Sequence, residues 1–127
     1  MKTFNVPTAA SQAVAPNPTR PATAMLHDSS DLRVVVFRIG PGQMVPPHQS
    51  GSTVALMAIS GEGFVRGGDE ERAVTAGDTV VFEPNELHAM RADARELVLL
   101  ATITPRPADR SAPRLQPNAA VGSEGAP

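Results

Sequence analysis

Gly77-Asp78-Thr79-Val80-Val81-Phe82-Glu83-Pro84-Asn85-Glu86-Leu87-His88 is the stretch that decides the fold. Asp78–Phe82 is a short β-branched run opened by a turn at Ala76-Gly77, and the loop after it delivers a histidine to the edge of the next apolar segment. The same grammar repeats outward. Upstream, Phe64–Arg66 leads into Gly67-Gly68-Asp69, a hairpin-like turn from which Arg72–Thr75 returns. Before that, Thr53–Ile59 is an apolar run ended by Ser60-Gly61-Glu62-Gly63, and Asp31–Ile39 is a β-branched run ended by Gly40-Pro41-Gly42. Downstream, Glu96–Ile103 is the last strong strand. No segment carries the helical period over ten or more residues, so closely spaced short strands predict an antiparallel β-sandwich or barrel.

The 127 residues make one domain, and proline marks its limits: four of the 13 lie in 1–21 and five in 105–127. These ends lack hydrophobic periodicity and cannot offset the entropy of ordering by burial. The reading is an extended N-terminal arm over 1–21 with a short strand around Phe4–Val6, a barrel over 22–104, and a mobile tail over 105–127. The barrel segment carries six Arg against eleven Asp and Glu, 6 − 11 = −5. An acidic domain with Tyr 0, Trp 0 and Phe 4 has neither the cationic surface nor the stacking platforms of nucleic-acid binders. No run approaches the apolar length of a membrane span. Cys 0 removes disulfides, thiolate ligands and cysteine nucleophiles. The start, MKTFNVPTAASQAVAP, lacks the apolar stretch of a secretory signal, which sets the expected location in the cytoplasm.

The segment from Gly42 to Ala92 resembles the cupin family of small jelly-roll β-barrels. The first family motif has glycine, five residues, histidine, one residue, histidine, three or four residues, glutamate, six residues and glycine. Gly42, His48 and Gly61 stand at matching positions. The second motif has glycine, five residues, proline, one residue, glycine, two residues and histidine. Gly77 to His88 keeps that frame, with the proline displaced to Pro84 and Asn85 in place of the glycine. Asn tolerates the left-handed turn such a position needs. The resemblance implies an all-β, antiparallel cupin barrel. It also implies a site in which three histidines and a glutamate hold one divalent metal. Those positions fall on His48, Ser50, Val54 and His88, so only the two histidines can ligate. No carboxylate lies between Gly42 and Gly61 under any shift of the frame.

The candidate metal ligands are therefore His48 and His88. The candidate cofactor is one divalent ion (Zn, Ni, Fe, Mn or Cu) held with the help of water, or none. Val54, Leu56, Ala58 and Met90 share the inward face and are expected to line an apolar pocket, with Ser50 and the two histidines as its polar groups. Met57 should point the other way. His27 belongs to no motif and reads as a surface or edge-strand residue, while Glu83 and Glu86 read as solvated turn residues. Two functions follow: binding of a small molecule or a weakly held divalent metal, or a metal-dependent enzyme of oxygenase, isomerase or lyase type. A barrel serving as an interaction scaffold is a third reading, and metal-free acid–base catalysis by His48 or His88 ranks below the first two. The resemblance further implies a homodimer.

Overall fold

A computed structural model describes residues 1–107. The β-branched runs become strands: β2 (Arg33–Ile39), β4 (Thr53–Gly67), β5 (Glu70–Thr75), β6 (Thr79–Phe82) and β7 (His88–Thr104). Two further strands, β1 (Ala22–Asp28) and β3 (Met44–His48), complete a seven-stranded antiparallel sheet ordered β1-β2-β7-β4-β5, with β3 also on β7 and β6 also on β4. Strand β1, Ala-Thr-Ala-Met-Leu-His-Asp, has little β-branched content. Strand β3 contains Pro46 and Pro47. Its only partner among the described strands is β7, and an edge position is where a sheet accepts proline.

The sheet folds over on itself because β4 and β7 each run through both halves. The N-terminal half of β4 pairs with β6 and the C-terminal half with β5. The N-terminal end of β7 pairs with β3, and its C-terminal half pairs with β2. The Ser60–Gly63 stretch, which reads in sequence as a break, is instead a bend inside one strand. There the ladder jumps from Gly61↔Leu97 to Gly63↔Ala92, so Asp93–Glu96 bulge outward and all four are exposed. Glycine is required at this bend. A Cβ on Gly61 would collide with the Glu96 carbonyl oxygen, and one on Gly63 with that of Arg91.

Between the two halves lies the main core, built on Ile39, Val54, Leu56, Val65, Phe82, Met90, Leu97 and Leu99. A second cluster covers the outer face of β1, β2 and β7: Ala22, Ala24, Leu26, Val36 and Val98 pack against Ala10 and Ala13. The N-terminal arm thus departs from the expected extended chain. In place of a strand at Phe4–Val6 there is a helix, α1 (Val6–Ser11), whose N-cap Asn5 accepts the Thr8 N–H at 2.9 Å and whose first turn contains Pro7. Arg38 donates to the Ala10 carbonyl at 2.6 Å, Gln43 donates to Pro18 O at 2.8 Å, and Val14 bridges Thr23. The arm is apolar on the side that matters, and it covers sheet.

Past β7 the chain is still tied down. Ser52 Oγ donates to the Pro105 carbonyl at 2.6 Å, and Arg106 Nε donates to Asp28 Oδ1 at 2.6 Å. Of the expected tail over 105–127, residues 105–107 are described and make these contacts, and 108–127 lie outside the described residues.

Candidate functional site

His48 ends β3 and His88 opens β7, and the two are directly paired across the ladder. Their rings meet edge-on with centroids 4.1 Å apart. His88 is 3% exposed, whereas His48 faces solvent. Each ring is fixed by a backbone carbonyl: His48 Nδ1 lies 2.9 Å from Pro46 O and His88 Nδ1 lies 3.0 Å from Glu86 O. A carbonyl oxygen only accepts, so each Nδ1 carries the proton, and in the neutral rings each Nε2 keeps its lone pair. Burial pushes His88 below the ordinary value of 6.5. The bond to Glu86 O opposes that shift, the neighbouring His48 adds to it, and the Glu86 carboxylate opposes it, leaving a net lowering. His88 is thereby held neutral near pH 7.

Phe82 stacks on His88, with centroids 4.7 Å apart and planes 18° from parallel. No motif marks Phe82, although alternation in β6 places it on the inward face, where it is 2% exposed. Gly67 sits beside this stack, since a Cβ there would come within 3.2 Å of the Phe82 ring and 3.0 Å of Glu86 Oε2. Two hydrogen bonds join the loops next to the histidines: Asn85 N–H to Ser50 O at 2.7 Å, and Gln49 Nε2 to Asn85 O at 3.1 Å. Asn85 has φ 69, the left-handed turn expected at that position.

The remaining candidates divide. Val54, Leu56, Ala58 and Met90 point inward as expected, but at 5%, 1%, 2% and 3% exposure they are members of the close-packed core on which the histidine pair rests. Ser50 lies next to the pair in the chain, and its Oγ accepts the Ser52 N–H at 3.0 Å. Met57 points outward and is 43% exposed. Glu83 is exposed. Glu86 is half-buried, its Oε1 accepting the Glu83 N–H at 3.0 Å. His27 lies on β1, away from both motifs, with Lys2 Nζ at 3.4 Å from its Nδ1.

His48 and His88 bring two imidazoles together at this site. Among the described residues no group of three or more His, Cys, Asp or Glu side chains is placed to hold a metal ion. Val54 has no donor atom, and Ser50 Oγ is already engaged by the backbone. The residues present do not fit a metal centre with three or four protein ligands.

Comparison with known proteins agrees with the geometry. Residues 35–103 match the family model described as the cupin domain, and the chain belongs to that family. Its fold is shared with solved structures. The TT1209 protein of Thermus thermophilus is 26% identical over 84% of this chain and 100% of its own, with a TM-score of 0.74. An RmlC-like cupin protein of Desulfovibrio desulfuricans is 27% identical over 83% and 97%, with a TM-score of 0.70. An uncharacterized conserved protein with a double-stranded β-helix domain, from Klebsiella pneumoniae, is 21% identical over 84% and 91%, with a TM-score of 0.73, a likeness of fold alone. A search of curated proteins gave no match. No helix among the described residues is long and apolar enough to cross a membrane.

Proposed function

We propose that this cupin binds a small organic molecule at the His48–His88 pair, with Phe82 stacked on His88 and Ser50 in the adjoining loop. One observation carries the reading: both rings of the pair spend Nδ1–H on backbone carbonyls, which leaves Nε2 of each ring, when neutral, as an acceptor. Such a pair suits a ligand offering N–H or O–H donors. Glu83 and Glu86 in the adjoining loop disfavour a carboxylate ligand there and tolerate a cationic one.

The test is a ligand-observed NMR screen of hydroxylated, amide and amine fragments against the untagged protein and its His48→Ala/His88→Ala double variant. Hits that vanish in a folded double variant support the site, and hits that persist overturn it. Elemental analysis after incubation with Mn, Fe, Co, Ni, Cu and Zn salts and dialysis covers the second reading, a weakly held divalent metal, which the freed Nε2 atoms also favour. Near-stoichiometric metal, lost in the double variant, replaces the small-molecule reading with a metal site completed from outside the protein and makes enzyme assays the next step.

A further inference from the structure

Away from the histidine pair, the outer sheet carries a different kind of cleft, because the N-terminal arm does not seal it completely. An open groove of about 430 Å³ remains, lined on its apolar side by Leu26, Leu32, Val34 and Phe4 and on its polar side by Lys2 and His27. Phe4 is 44% exposed, a large apolar ring without full cover. The volume lies in the range of small-ligand sites, and mostly apolar walls with a few convergent polar groups are what such sites show.

The charge at the polar side is unlike the rest of the domain. Lys2 is the only lysine in the sequence, and its ammonium points at His27 Nδ1, 3.4 Å away, which accepts because an ammonium has only donors. Lys2 thus places a cation at this end of the groove, against a barrel segment whose formal charge is negative. An apolar trough with a cation at one end fits an alkyl chain ending in a carboxylate.

We propose that this groove binds a free medium-chain alkyl carboxylate, its chain along Leu26, Leu32, Val34 and Phe4 and its headgroup at Lys2. The site is separate from the histidine pair, so each proposal stands or falls alone.

Decanoate, titrated below its micelle concentration into the full-length chain, is the probe, with methyl NMR as the readout. Saturable shifts at the Leu26, Leu32 and Val34 methyls are expected, with His48 and His88 unmoved. Lys2→Glu should weaken binding by roughly fivefold, the scale of one partly exposed ion contact, and 1-decanol should bind correspondingly worse than decanoate. Equal affinity for decanoate and decanol, unchanged by Lys2→Glu, overturns the carboxylate assignment. An absence of saturable shifts overturns the site, which is the result expected if a second copy or residues beyond 107 fill the groove. Binding to anionic vesicles through the same methyls without decanoate binding likewise overturns it in favour of a membrane surface.

Discussion

Gly61 shows how much one missing Cβ can matter. Its φ of 82 is a conformation L side chains rarely adopt, and the space a Cβ needs is occupied by the Glu96 carbonyl. Gly61→Ala is expected to lower unfolding free energy by about 3 kcal/mol or more, measured by urea denaturation, because both backbone strain and a clash with main chain must be relieved. His88 gives a pH prediction. The unfolded chain takes up a proton on this residue near 6.5, whereas the folded one resists until a lower pH. Stability from this group is complete above that value and falls as pH drops through 6.5 toward the folded pKa. His88→Gln should flatten the Tm profile in that interval, and an unchanged slope would assign it elsewhere. The two histidines were legible through the resemblance of Gly42–Ala92 to the cupin motifs. What fixes the rings was not, because the partners are the carbonyls of Pro46 and Glu86, and backbone carbonyls leave no mark in a sequence.

At the scale of elements, β-branched content marked β2, β6 and the apolar parts of β4 and β7, whereas β1 and β3 were missed. Strand β3 was hidden by Pro46 and Pro47, residues that argue against a central strand but not against an edge. The six residues of α1 are too few to display a helical period, yet Asn5 followed by Pro7 is a legible start signal. That helix is held by burial, since Ala10 is 4% exposed against Val36 and Val98. Ala10→Asp places an unpaired carboxylate in that contact and should cost about 2 kcal/mol or more, with new binding of a hydrophobic dye as the arm lifts. Dye binding unchanged from the native protein would mean the arm is not closed over the sheet in solution.

For the whole molecule, the C-terminal end of the described chain is tied to the β1–β2 hairpin at one carboxylate. Asp28 is buried, which by itself raises its pKa, but the bonds from Arg106 and Arg33 and their charges more than offset this and hold it below 3.8. The folded state therefore gains stability above that value and loses it as pH falls below it, an acid limb separate from the His88 limb. Arg106→Ala should raise the Asp28 pKa, followed by carboxyl NMR, and lower stability by about 1–2 kcal/mol at neutral pH. The interlocking of β4 and β7 through both halves of the barrel makes independent melting of either half unexpected, so calorimetric and van't Hoff enthalpies should agree. The outward bulge at Asp93–Glu96 has the opposite character. All four of its residues stand outside the β4 ladder in water, and lengthening such a segment adds only the slowly growing entropy of closing a longer loop. It is the natural port for grafting a foreign peptide or a fluorescent reporter, one that leaves both the histidine pair and the arm-side groove untouched.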